Sequence, residues 1–277
     1  MKTFEDILLS KLEKTFILRH FLFCYFEIKR AIVYRNTYSP LGVVSFFIKA
    51  FYLRFLRPYL ELIKKKLFWK NQQPQKDFNN EYSREIYEKG YVILPKINLN
   101  QINFVDVNVD PQLRMSDNFV DIEKALNFAK EMQFIEIVKN YFQEDKCNFD
   151  VNSWNTNPFK VPSGTTKFHQ DRDGYKLLKI FVYLVDVKEN TGPHIFAVGS
   201  HRRKFLKFIP QFRYEDEEVQ NYYKEFITFQ GENGYCFVVD TTGLHKGTPP
   251  LDKTRSILSF QFYTGPLRQV NSKIINL

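Results

Sequence analysis

The stretch FHQDRDGYKLLKIFVYLVD, Phe168–Asp186, decides the reading of the fold, and GYCFVVDTTGLHKGTPP, Gly234–Pro250, echoes it farther along the chain. Each couples a short apolar run to a histidine. In the first, His169 and Asp171 stand two residues apart, and an extended backbone sends residues i and i+2 to one face. Both side chains can therefore reach one point from a strand end. The second run is followed by His245, and Arg255 heads a third, RSILSFQFY.

Working outward, the texture from Asn148 onward is rich in short strands: FDVNSW, KLLKIFVYLVDV, HIFAV, EFITF, GYCFVVD and RSILSFQFY. Turn signals at 190–193, 231–234 and 249–253 separate them. Strands of this length and spacing predict an antiparallel sandwich or barrel, with a jelly roll as a main solution. Before them, EYSREIYEKG reads as a helix ending at Gly90, YVILP as a strand, and residues 119–143 as two helices. An acidic insertion at Tyr214–Tyr223 reads as helical. The fold class is therefore mainly β with helices (α+β).

Composition bounds the rest. At 277 residues with 44% apolar side chains, the chain can bury a large core, and its 11 Gly and 12 Pro argue against a fibrous or disordered protein. Cys24, Cys147 and Cys236 stand far apart, so neither a disulfide framework nor a cysteine zinc site is implied. A reducing cytoplasm fits.

The net charge is +9, with much of the excess in the first seventy residues. Residues 1–35 repeat apolar side chains at helical spacing (Ile7, Leu8, Leu12, Phe16), and Ser39-Pro40 starts a second helix, kinked at Pro58. Its end, Lys64–Lys70, sets lysines beside Phe68 and Trp69. That suits the face of an anionic membrane, and it suits equally a helical pair packed on the main domain with solvated lysines. No secretory signal opens the chain, and the charge-free run Asn36–Ile48 is too short to span a bilayer, which needs about 20 residues. Asn71–Asn80 reads as a linker. Two domains are expected: a basic amphipathic extension at 1–75 and a jelly-roll domain at 76–277. The expected location is cytoplasmic, either free or peripheral on the inner face of a membrane. Glycine loops for phosphate are absent, and no nucleic-acid partner is expected. Oligomeric state is not legible.

Two histidines and one carboxylate on one side of an ion, with open positions opposite, form the ligand set of non-heme Fe(II) oxygenases. When such a metal chelates a 2-oxo acid, the far carboxylate needs a fixed cation, and Arg255 offers a bidentate fork. Each residue has a plainer reading. Asp171 could cap a turn, the histidines could be ordinary core residues, and Arg255 could lie on a surface. Of five histidines, His20 falls in the first helix, His201 reads as a loop residue, and His194 sits near the pocket without binding metal. Arg202, Arg203 and Lys204 read as a solvated face, or else as contacts to an anionic substrate. A Zn(II) hydrolase would leave Arg255 unexplained.

From Glu88 to Tyr263 the chain resembles the phytanoyl-CoA dioxygenase family of Fe(II)/2-oxoglutarate oxygenases. The resemblance rests on EKGYVILP, FHQD, FVYLVDVKENTGPHIFAVGSHR (with a variant of the family's PGSH pattern) and GLHKGTPPLDKTRSIL. It implies a double-stranded β-helix, or cupin-like jelly roll, with supporting helices. It also implies Fe(II) on His169, Asp171 and His245, 2-oxoglutarate on Arg255, and O2 as cosubstrate. The reaction implied is hydroxylation of a small-molecule or lipid-linked substrate (acyl, glycolipid or sugar), releasing succinate and CO2. Asp171 argues against a halogenase, which lacks this carboxylate. Hydroxyl side chains that the family often carries are replaced by Gly247 and Ile257, leaving Tyr183 and Thr248 as candidates for secondary cosubstrate contacts. Those replacements motivate the alternative of a catalytically inactive binding module recruited to a membrane by the N-terminal helices.

Overall fold

In the computed structural model, the described residues are 78–162, 164–171, 173–174, 176–202, 213–264 and 272–277. The expected helices of the N-terminal extension, the linker through residue 77, and Arg203 and Lys204 lie outside them. No described helix is long and apolar enough to cross a membrane.

The described residues begin with helix α1 (Glu81–Lys89), started by the Asn80 side chain, which accepts from the Ser83 N–H. It ends at Gly90, whose left-handed backbone (φ 95°) returns its N–H to the Ile86 carbonyl. Strand β1 (Tyr91–Leu94) follows, then β2 (Val105–Asp106) and β3 (Met115–Val120). Helix α2 (Ile122–Glu131) is capped by Asp121, and α3 (Phe134–Phe142) packs beside it. The jelly-roll strands are β4 (Lys146–Thr156), β5 (Leu177–Tyr183), β6 (His194–Ala197), β7 (Phe226–Phe229), β8 (Cys236–Val239), β9 (His245–Gly247) and β10 (Arg255–Tyr263). Helix α4 (Asp216–Tyr222) precedes β7, and β11 (Lys273–Asn276) closes the chain.

These strands form two antiparallel sheets. The larger runs β1-β8-β5-β10-β4-β3-β2 with β11 on β4, and the smaller runs β7-β6-β9. Alternation along β5 and β10 divides the core. Leu178, Ile180, Val182, Leu258, Phe260 and Phe262 point to one face, where Phe260 stacks on Phe128 of α2. Phe181, Tyr183 and Ile257 point the other way, into a second cluster with Phe196, Phe229 and Phe237. The functional side chains lie on this inner face.

Gly90 sits at a tight junction. A Cβ there would come within 2.6 Å of His201 Nδ1 and Phe196 Cζ. Gly90→Ala adds overpacking to the cost of a left-handed backbone, and should destabilise the domain by about 3 kcal/mol, read as a lower urea midpoint with unchanged slope.

The sequence reading needs three corrections. Phe119 and Val120 end β3 rather than starting a helix. β3 escaped notice because its buried positions are Ser116 and Asn118, satisfied by hydrogen bonds from Asn118 to Ser153 (2.9 Å) and from Asn155 to Asn118 (2.7 Å) rather than by apolar packing. Finally, His169 and Asp171 do not stand at the end of a named strand. Phe168 and His169 form isolated bridges to Tyr214 and His245, and a loop intervenes before β5.

Candidate functional site

The bridge between His169 and His245 builds the site. Each residue's N–H donates to the other's carbonyl at 2.9 Å, and the Asp171 N–H donates to the Thr241 carbonyl at 2.9 Å. The two imidazoles are thereby set 4.3 Å apart, centroid to centroid. His169 Nδ1 lies 2.9 Å from the Lys167 carbonyl and His245 Nδ1 lies 3.0 Å from the Gly243 carbonyl. A carbonyl only accepts, so both rings carry their proton on Nδ1 and present a bare Nε2 inward. Those atoms lie 3.7 and 3.5 Å from the two oxygens of Asp171, and the three donor atoms fall within 4.8 Å of one another.

Charge supports this arrangement. Burial pushes the Asp171 carboxyl up, but the opposing charge beside it, that of Lys179 first, holds the group well below its usual range. The Lys179 ammonium, largely buried on β5, forms an ion pair with Asp171 Oδ2 at 2.8 Å. Burial and the neighbouring His245 hold His169 far below its ordinary value, and burial does the same for His194. Donors at about 2.1 Å from one ion lie about 3 Å apart when cis, so this set fits a divalent iron with little closure.

Unfolded imidazoles take up protons near pH 6.5, whereas His169 and His194 stay neutral when folded. The unfolded state then binds more protons, so stability is present above that pH and lost as pH falls through it. Metal-free protein should lose about 3 kcal/mol per pH unit below about pH 6.5 from this pair, visible in urea midpoints taken across pH.

Arg255, the first residue of β10, is 5% exposed. Its Nη1 donates to the Gly192 and Thr248 carbonyls and its Nη2 to Thr156 Oγ1 at 3.4 Å, while Nε has no partner. Among the described residues no carboxylate pairs with it. The guanidinium lies over Gly247, where a Cβ would meet Nη1 at 2.8 Å and Nη2 at 2.9 Å. The missing hydroxyl at 247 thus has a steric cause. Tyr183 and Thr248 are nearby but engaged: the Tyr183 hydroxyl donates to the Phe229 carbonyl and accepts from the His194 N–H, each at 3.0 Å, and the Thr248 hydroxyl donates to the Pro193 carbonyl at 2.9 Å. His201 binds the Tyr87 carbonyl through Nε2 at 2.9 Å, a loop contact away from the three donors. Arg202 lies over the Tyr87 ring.

Two further residues stand beside the donors: Lys179, for which no role is expected, and His194, expected near the pocket without binding metal. Lys179 interrupts the apolar run LLKIFVYL, and a lone lysine in a buried strand is a signal of a buried counterion. His194, on β6, stacks on His245 at 5.3 Å and 17°.

A profile for phytanoyl-CoA dioxygenase (PhyH) matches residues 99–251. The chain belongs to the phytanoyl-CoA dioxygenase family. With that family and this donor set, it is an oxygenase dependent on Fe(II) and 2-oxoglutarate, with O2 as cosubstrate. Arg255 lies just past the matched span. Among solved structures, the epimerase SnoN in complex with Fe3+, alpha ketoglutarate and nogalamycin RO is similar at 14% identity and a TM-score of 0.50, covering 68% of this chain and 84% of that one. HygX from Streptomyces hygroscopicus with nickel and 2-oxoglutarate bound gives 13%, 0.49, 69% and 89%. EctD from S. alaskensis with bound Fe gives 14%, 0.48, 70% and 80%. At 14% identity the likeness to SnoN is one of fold. No curated protein sequence matches the chain significantly.

Proposed function

We propose that this family member hydroxylates an unactivated C–H bond, with His169, Asp171 and His245 as the iron ligands and Arg255 as the anchor of 2-oxoglutarate. The observation that carries the reading is the pairing of an inward His-Asp-His face with a buried guanidinium that, among the described residues, has no carboxylate partner. A buried, uncompensated charge is costly unless a ligand neutralises it. Bound iron, with 2-oxoglutarate and O2, supplies the oxidising equivalent. The protein's own groups do the rest: the Nδ1 bonds aim both imidazoles, and Lys179 pairs with Asp171 through Oδ2, the oxygen that also faces His245. Phe181, Phe229 and Phe237 line the inner face with apolar surface that excludes water. Retention of Asp171 favours hydroxyl transfer over halogenation.

The inner face also informs the substrate. Asp150, Gln261 and Lys179 stand in register across β4, β10 and β5, with Asn152 and Ser259 in the next row. Such a polar row suits a hydroxyl-bearing, sugar-like group better than a bare acyl chain. The basic sequence of residues 1–70 supports delivery of that group on a lipid at an anionic membrane surface; flotation of the full-length protein with anionic liposomes tests this, and protein remaining at the bottom of the gradient contradicts it.

Oxygen-dependent formation of succinate from 2-oxoglutarate by the iron-loaded protein, abolished in His169→Ala, is the expected result. No succinate from folded, iron-loaded protein would favour the inactive binding module instead.

A further inference from the structure

We propose that His194 supplies a second protein contact to 2-oxoglutarate, donating from Nε2 to the distal carboxylate beside Arg255. This rests on the cosubstrate role proposed for Arg255. His194 lies opposite Gly247 in the β6–β9 register, and the Arg255 guanidinium covers Gly247. The ring also stacks on His245. The imidazole is therefore a neighbour both of a metal-facing histidine and of the glycine that the guanidinium covers.

The hydroxyl donors considered for that role are engaged or missing. Tyr183 and Thr248 direct their hydroxyl protons to backbone carbonyls. Ile257 is part of the apolar cluster, and the space above Gly247 is filled by Arg255. His194, by contrast, is 6% exposed and its Nε2 has no hydrogen-bond partner. Native structures seldom leave a buried polar atom unsatisfied without a functional reason. Phe181, Phe237 and Phe229 pack around the ring at 5.0, 5.7 and 5.9 Å, and the Tyr183 hydroxyl holds its backbone N–H, so its position is fixed before any ligand arrives.

The simpler role for such a ring is to buttress His245 by stacking, which phenylalanine would do equally well. The test uses full-length protein loaded with nickel, titrated calorimetrically with 2-oxoglutarate and with 2-oxopentanoate, which lacks the distal carboxylate. In His194→Phe, 2-oxoglutarate binding should weaken about tenfold or more, while 2-oxopentanoate and nickel binding stay within about twofold. His194→Gln, which keeps a donor, should recover part of the loss. Parental affinity for 2-oxoglutarate in His194→Phe would overturn the proposal in favour of a stacking role, and so would equal weakening of both ligands. If the nickel-loaded parent binds no 2-oxoglutarate, the Arg255 reading fails first, and this proposal with it.

Discussion

Asp171→Asn should lose both the metal and much of the stability of the domain. The carboxylate lies between two bare imidazole nitrogens and a largely buried ammonium. Loss of an outer partner to a metal ligand costs about 10–100-fold in affinity, and loss of a ligand itself should exceed that. The substitution also strands Lys179. Removing one member of a buried ion pair costs about 3–5 kcal/mol, because the remaining charge is left uncompensated. Asp150 and Asp173 also favour the Lys179 charge, so the lower end, about 3 kcal/mol, is expected. The double variant Asp171→Asn/Lys179→Met should regain most of that stability but none of the metal affinity. Nickel calorimetry and urea unfolding separate the two effects. A single variant as stable as the parent would show that Lys179 does not depend on Asp171.

Arg255→Met should separate function from stability in the opposite sense. Truncating one partner of a buried charge pair costs about 2–5 kcal/mol, so 2-oxoglutarate should bind about 100-fold more weakly or worse. Without ligand, the parent buries a cation whose partners among the described residues are two carbonyls and a hydroxyl. Replacing it by an apolar chain of similar length relieves that desolvation, and the metal-free variant should lose no more than about 1 kcal/mol. Lysine at 255 should not restore binding, since a point charge cannot reproduce the fork. A large loss of stability with unchanged 2-oxoglutarate affinity would mark Arg255 as a structural residue.

What the sequence disclosed follows from where the information lies. Strand β10 was legible residue for residue, because RSILSFQFY is bounded by a turn and rich in β-formers. The convergence of His169, Asp171 and His245 was legible too, since their residue types and spacing are local features, although an isolated bridge from His169 to His245 rather than a strand end joins them. β3 was hidden because its buried side is made of Ser116 and Asn118 rather than apolar residues. Lys179 was visible as a residue but not as a member of the site, and His194 as a neighbour of the pocket but not as a partner of His245. Their significance lies in the register of β6 against β9 and of β5 beside the 169–171 loop, and no local pattern encodes such pairing. The steric reason for Gly247 is likewise non-local: it belongs to a guanidinium from the next strand.

The most direct test of the central claim is anaerobic addition of Fe(II) and 2-oxoglutarate to metal-free, full-length protein, followed by visible spectroscopy. A weak charge-transfer band that needs both additions, vanishes in His169→Ala and weakens in Arg255→Met is the predicted result. Folded, iron-loaded protein that shows no band at saturating 2-oxoglutarate would contradict it.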